Sequence, residues 1–283
     1  MRDQPKIGRN EKVTIKNVMS GEEKEVNINN ISKMNIEIPL ECFTLVTGVS
    51  GSGKSSLIKE ALKPALEQRF NGYTSTKRNY KESQINTNKY SKIEFIDQNP
   101  IGKSSRSNPI TYIKAYDEIR SLFSSQKLSK SREYKSGFFS FNVDGGRCDN
   151  CKGEGETTVE MQFMADVHLL CDECKGNRFK DEILEVKFSG KNISDILDLT
   201  VDEALTFFTK NGEERINKKI QPLQDVGLGY VKLGQSSSTL SGGEAQRIKL
   251  ASFLGKGENS EKIIFIFDEP TTGLHFHDIN KLL

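Results

Sequence analysis

Apolar and polar positions alternate with period two over three early segments, Val13-Thr-Ile-Lys16, Met34-Asn-Ile-Glu-Ile38 and Phe43-Thr-Leu-Val-Thr47, and each predicts a strand. A polar loop around Gly21-Glu-Glu-Lys24 separates the first two. After Thr47 comes a glycine-rich turn, and helical spacing then runs from Lys54 to about Gln68. Residues 71–92 are polar and predict loop; Ile93–Ile96 predicts a short strand and Ile110–Leu122 a helix. From Gly137 to Gly176 glycine and cysteine dominate, which predicts a small metal-stapled unit rather than a layer of the core. Helical spacing returns over Val201–Phe208, Asn217–Asp225 and Gly242–Leu254. Ile263-Ile-Phe-Ile-Phe267 is an unbroken apolar run, which suits a parallel strand buried on both faces.

Strand, glycine turn and helix is the opening of an α/β nucleotide-binding domain. The turn itself, Gly48-Val-Ser-Gly-Ser-Gly-Lys54-Ser55, fits GxxxxGK[ST]. Glycines let backbone N–H groups curl around phosphate oxygens without a Cβ clash, and the helix N-terminus adds partial positive charge. Gly48, Ser50, Gly51, Ser52, Gly53, Lys54, Ser55 and Ser56 are the expected nucleotide contacts, with Lys54 on the β- and γ-phosphates and Ser55 on Mg²⁺. The apolar run at 263–267 ends in Asp268-Glu269-Pro270. A carboxylate at the end of a buried strand lies at the carboxyl edge of a sheet. Asp268 is therefore expected to orient Mg²⁺, and Glu269 to polarise an attacking water as general base.

Of five cysteines, four form Cys148-Asp-Asn-Cys151 and Cys171-Asp-Glu-Cys174, nineteen residues apart, each followed by Lys-Gly. That spacing suits one zinc ion held by four thiolates. His168 between the pairs is expected to be an ordinary strand residue, and Cys42 a small core residue at the start of a buried strand. No stretch approaches the roughly 18 apolar residues that span a bilayer, and the N-terminus has no signal-type run, so a cytoplasmic location is expected. The net charge of +2 hides an uneven distribution. Residues 71–135 hold thirteen Lys/Arg against six Asp/Glu, a basic surplus that suits a surface facing phosphates.

Leu240-Ser-Gly-Gly-Glu244, standing between the phosphate loop and the acidic strand, resembles the signature of the ATP-binding-cassette ATPases. The resemblance implies that Ser241, Gly242 and Gly243 cap the γ-phosphate bound to the facing domain of a head-to-tail dimer. It also implies that Gln98, in Asp97-Gln-Asn-Pro100, couples the metal site to the inserted region and that Thr272-Gly-Leu-His275 contacts the dimer partner. More narrowly, the chain is similar to the second nucleotide-binding half of the UvrA excinuclease family, the damage sensor of bacterial nucleotide excision repair. Val46–Ser56, Asp97–Gly102, Arg106–Pro109, Phe139–Asn142, Gly145–Cys148, Asp225–Tyr230 and Asp268–His275 carry the match, which extends from about Val13 to Leu283.

The fold this implies is an α/β ABC-type P-loop domain with an inserted helical and zinc-binding signature subdomain. Residues 1–100 and 236–283 would form the ATP-binding core, and 101–235 the insert, with its zinc module at about 137–180. The implied activity is ATP hydrolysis, with ATP, Mg²⁺ and Zn²⁺ as cofactors. Implied partners are damaged double-stranded DNA, a second copy or another ABC half, and a helicase of UvrB type. Arg147, Lys152, Lys175 and Arg178, flanking the cysteines, would contact DNA phosphates. Nothing here matches the family's helicase-docking insert, and its last strand and switch histidine do not appear before Leu283; His275 and His277 come too early. The expectation is accordingly a fragment, split-gene product or truncated paralogue that binds Mg-ATP but turns it over slowly. The competing class is a DNA-binding or drug-resistance relative that uses ATP only as a conformational ligand.

Overall fold

The computed structural model describes residues 12–18, 34–71, 82–85, 90–102, 104–159, 161, 167–255 and 262–270. The loop at Gly21–Lys24, the segment Thr272–His275 and His277 lie outside them. Strands are β1 (Lys12–Val18), β2 (Met34–Pro39), β3 (Glu82–Ile85), β4 (Lys92–Ile96), β5 (Glu156–Val159), β6 (Val167–Leu170) and β7 (Ile263–Phe267). Helices are α1 (Lys54–Ser56), α2 (Lys63–Asn71), α3 (Pro109–Tyr112), α4 (Tyr116–Ser124), α5 (Lys127–Ser131), α6 (Asp181–Leu184), α7 (Ile193–Asp198), α8 (Val201–Lys210), α9 (Glu214–Asp225) and α10 (Gly242–Leu254). They fall into two compact units, one drawn from residues 1–96 and 259–268, the other from 97–258 and 269–283.

In the first unit β1 pairs antiparallel with both β2 and β3, so the expected strands at 13–16 and 34–38 form. β3 lies inside the stretch expected to be loop. β4 and β7 pair parallel, Ile96 opposite Phe267. Only Ile266 of β7 is buried, however, and Phe265 is 37% exposed, so the strand is not covered on both faces as its apolar run suggests. The helix after the glycine turn runs without a break from Lys54 to Asn71, widening to a π-type turn over Leu57–Leu62. It supplies Ala61, Leu62, Ala65 and Leu66 to a small core with Leu40 and Ile266.

Two further expectations fail in this unit. Residues 43–49 join no ladder among the described residues, and Phe43 and Leu45 are 72% and 70% exposed. Alternation marks an amphipathic segment but cannot supply the neighbouring edge that a strand must pair with. Cys42, expected in the core, is partly exposed at a bend, with its thiol 3.6 Å from the Pro39 carbonyl.

The second unit holds the larger core, with Ile119, Phe123, Phe139, Phe141, Phe179, Ile183, Ile196, Phe208, Ile220, Leu223 and Ile248 all fully buried. Phe139 and Phe141 come from the stretch expected to stand apart from the core. They pack near Phe123 and Tyr116, ring centroids 5.6 and 5.0 Å apart, and the buried Tyr116 hydroxyl donates to the Phe139 carbonyl at 2.7 Å. Burial drives that phenol far above its ordinary range, so it stays protonated. The single helix expected over Ile110–Leu122 is two, α3 and α4, because Lys114 between them adopts a left-handed φ of 58° that a continuing helix forbids. α9 begins at Glu214, earlier than its apolar spacing suggests. α8 and α10 start at the expected residues. Among the described residues no helix is long and apolar enough to cross a membrane.

Candidate functional site

The glycine loop ends at Gly53, whose φ of 89° lies in the left-handed region open to glycine, and the chain turns there directly into α1. Its carbonyl accepts the first helical bond from the Leu57 amide at 2.8 Å. The Lys54 ammonium folds back over the loop and donates to the Gly48 and Val49 carbonyls at 2.9 and 2.8 Å. Gly48, Ser50, Gly51, Ser52 and Ser55 are exposed, whereas Gly53, Lys54 and Ser56 are half-buried. The Lys54 ammonium is thus held over two carbonyls of a largely exposed glycine turn.

At the end of β7, the Asp268 amide donates to the Ile96 carbonyl at 3.2 Å, continuing the parallel ladder. Its carboxylate pairs with Lys59 at 2.7 Å, which brings the acid to the helix that Lys54 begins. The Lys59 side chain is 45% exposed and that of Asp268 25%, so solvent partly screens the pair. Glu269 follows in a left-handed backbone, φ 49°, unusual for a non-glycine residue before proline. Its carbonyl accepts the Gln98 side-chain amide at 3.2 Å.

Ser241 is the N-cap of α10. Its hydroxyl accepts from the Glu244 amide at 3.3 Å, while the Glu244 carboxylate accepts from the Ser241 amide at 2.8 Å. This capping box satisfies donors that a helix start leaves open. Tyr230 donates to the other Glu244 carboxylate oxygen at 2.8 Å, and the buried Arg247 donates to the Tyr230 hydroxyl and to the carbonyls of Val226 and Gly227. Ser241, Gly242 and Gly243 therefore sit on a helix start braced from within its own unit. Sequence reasoning missed this bracing. Glu244 was legible as the fourth member of an S-x-x-E box; Tyr230 gave no local signal.

The two Cys-x-x-Cys pairs are brought together by two antiparallel connections. β5 pairs with β6, Glu156 opposite Leu170, closing a hairpin between Cys151 and Cys171. At the other end, the Cys148 amide donates to the Arg178 carbonyl at 2.9 Å and the Lys180 amide to the Gly146 carbonyl at 3.0 Å. All four cysteines are buried and their sulfurs lie within 4.8 Å of one another. Cys148 and Cys171 sulfurs are 3.9 Å apart, Cys151 and Cys174 sulfurs 3.6 Å. Those separations are too long for a disulfide and match the edge of about 3.8 Å that Zn–S bonds of ~2.3 Å impose on a tetrahedron. The Gly155 amide points at the Cys151 sulfur at 3.3 Å and the Asn150 side chain at the Cys171 sulfur at 3.5 Å.

Burial pushes the Cys174 thiol up to about 12 and raises Cys148 as well. At Cys171 burial is outweighed by the backbone amides of Cys174 and Glu173, which bring the thiol down to about 7. Four thiols in such a pocket cannot all ionise without a cation among them. The donor set, spacing and burial fit zinc. Each knuckle turns through a left-handed Lys-Gly pair, Lys152–Gly153 at φ 50° and 84°, Lys175–Gly176 at φ 50° and 89°. Gly153 is obligatory in space too, since a Cβ there would fall 2.1 Å from the Phe141 carbonyl.

The four flanking cations diverge. Lys152 and Lys175 are exposed. Arg147 turns inward to the Asn142 and Lys152 carbonyls and pairs with Asp144, leaving its side chain 15% exposed. Arg178 donates to the Gly234 carbonyl at 3.1 Å and lies 5.5 Å from the Phe141 ring centroid; burial lowers its basicity. Both arginines direct their guanidinium groups to carbonyls that hold the knuckles to the core. His168 is a strand residue as expected, 3.2 Å from the Thr158 hydroxyl and outside the sulfur cluster.

A lysine-bearing glycine loop that opens a helix, an acidic strand end tied to that helix and a four-thiol cluster define an α/β protein of phosphate-loop type with four cysteines that could hold a metal ion. No family model matches the chain. UvrABC system protein A of Clostridium tetani is 53% identical over 260 residues, which cover 92% of this chain and 27% of the relative. The same protein of Listeria monocytogenes is 51% identical over 255 residues, 90% of this chain and 26% of the relative. That of Helicobacter pylori is 49% identical over 260 residues, 92% and 28%. The crystal structure of UvrA2 from Deinococcus radiodurans superposes with a TM-score of 0.84 at 41% identity, covering 100% of this chain and 32% of that one. Over about nine tenths of its length the chain belongs with the UvrABC system protein A sequences, and it spans about a quarter of the length of the curated relatives it matches.

Proposed function

We propose that this chain is the ATP-binding and DNA-binding part of a protein of UvrABC type, working in nucleotide excision repair. Carrying this reading is the presence, in one chain related to that protein, of a cationic glycine loop and a closed four-thiol cluster. The ATP-binding core comprises residues 1–100 and 236–283 in sequence, and the inserted signature region 101–235. Gly48, Ser50, Gly51, Ser52, Gly53 and Ser56 surround the phosphates, Lys54 neutralises them, and Ser55 and Asp268 hold Mg²⁺. Magnesium held there would neutralise charge developing on the phosphate oxygens. Glu269 takes the proton of that water as general base, and Gln98 couples the metal to the insert. Ser241, Gly242 and Gly243 cap the nucleotide of a facing second copy or another ABC half. Cys148, Cys151, Cys171 and Cys174 hold structural zinc. No residue here is assigned to a helicase of UvrB type.

Calorimetry on zinc-loaded chain should register Mg-ATP uptake, and ATP should drive dimerisation of the Glu269→Gln chain in light scattering. A chain that takes up no magnesium nucleotide, or stays monomeric at saturating ATP, would contradict the reading.

Lys152 and Lys175, at matching places on the two knuckles, are the proposed contacts to DNA phosphates. Replacing both by glutamine should make the slope of log affinity against log salt shallower by about two, close to 0.9 for each phosphate no longer neutralised. An unchanged slope would place the DNA surface elsewhere.

A further inference from the structure

We propose that Lys249 is a positioning residue for Gln98, fastening the glutamine loop to the helix that carries the signature, a role that rests on the nucleotide-binding reading above. Lys249 stands two turns into α10. Its ammonium reaches a residue 152 positions earlier in the chain, donating to the Asp97 carbonyl at 3.2 Å and forming an ion pair with the Asp97 carboxylate. The two side chains are only 15% and 26% exposed, so solvent screens the pair weakly. Asn99 completes the arrangement: its amide donates to one carboxylate oxygen of Asp97 at 3.2 Å and its side chain to the other. Burial opposes the charge on Asp97, but the Lys249 ammonium and the Asn99 donors outweigh it and hold the carboxyl below its usual range.

Gln98 is therefore gripped on three sides. Its preceding residue is held by Lys249. Its side-chain amide is held by the Glu269 carbonyl at 3.2 Å. It packs against Gly242 of the signature so closely that a Cβ on that glycine would lie 3.0 Å from the Gln98 Cβ. Any displacement of Gln98 must break the Asp97–Lys249 pair or carry α10 with it. Gln98 answers to this chain's own nucleotide, whereas Ser241 at the start of α10 answers to the facing chain's. Lys249 accordingly joins the two responses through one ion pair.

The experiment uses the full, zinc-loaded chain with Lys249→Met, Asp97→Asn, the double variant and Lys249→Arg. Read-outs are the Mg²⁺ concentration for half-maximal ATP binding, ADP affinity in EDTA, and ATP-driven dimerisation in the Glu269→Gln background. Each single variant should raise the Mg²⁺ requirement and weaken dimerisation about fivefold, with ADP affinity unchanged, zinc retained, and the double variant no worse than either single one. Lys249→Arg should restore most of the effect. Unaltered Mg²⁺ dependence in Lys249→Met, or additive losses in the double variant, would overturn the proposal. So would a uniform loss of nucleotide affinity and zinc, which is the mark of a merely structural contact. Failure of the unaltered chain to bind Mg-ATP would instead remove the reading beneath it.

Discussion

Cys174→Ser is expected to release the zinc and unfold the region around residues 137–180, as zinc content and near-ultraviolet circular dichroism would show. Metal coordination by four thiolates contributes on the order of 10 kcal/mol to folding in small zinc modules, comparable to the whole stability of an ordinary domain. The hairpin between the two cysteine pairs has little else to rest on. β5 and β6 are exposed strands with Val159, Leu169 and Leu170 open to solvent, and a two-stranded ribbon is marginal alone. The loss will not stay local. Phe179 follows the second knuckle into the main core, where it meets Phe141, and Arg178 bridges to Gly234. Thermal unfolding should therefore move to lower temperature for the second unit as a whole, and a chelator should reproduce the effect in the unaltered chain. A Cys174→Ser chain that keeps one zinc and the original melting temperature would show that the cluster does not work as a closed tetrahedral site.

The second large effect is expected at Lys54. Lys54→Ala should reduce Mg-ATP affinity about a hundredfold, since a charge-assisted bond to phosphate is removed from a site that has no other cation built into the turn. The loop should survive, because its shape comes from Gly51 and Gly53 and from the Ser52 amide, which donates to the Val49 carbonyl at 3.2 Å. Stability should change little, since the two bonds lost with the Lys54 ammonium go to exposed carbonyls of its own turn, which water can satisfy. Fluorescent-nucleotide titration beside thermal unfolding separates these outcomes. Wild-type affinity in the variant would mean that nucleotide is held elsewhere or that the amides suffice.

These residues were legible because their chemistry is local. A glycine-rich turn before a lysine, a serine three residues ahead of a glutamate, and cysteines separated by two residues each close their contacts within a few positions. Backbone sterics and capping then act much as they would in any fold. Tetrahedral thiolate geometry further restricts which paired cysteines can share a metal, so Cys148, Cys151, Cys171 and Cys174 could be grouped before any hairpin was known.

What the linear pattern left open was direction. Arg147, Lys152, Lys175 and Arg178 look alike as charges beside a zinc knuckle, yet two face solvent and two are consumed by carbonyls of their own unit. The same holds for Phe43–Thr47, whose alternation names an apolar face but no partner edge, and for β7, whose apolar run promises more cover than it receives. Contacts such as Asp97 with Lys249 or Tyr230 with Glu244 join segments set side by side only when the core of Phe123, Phe141, Phe179 and Ile248 closes. Local chemistry thus named the phosphate turn, the helix cap and the metal donors. Only packing chose which charges face outward and which hold the structure, because that choice depends on neighbours remote along the chain.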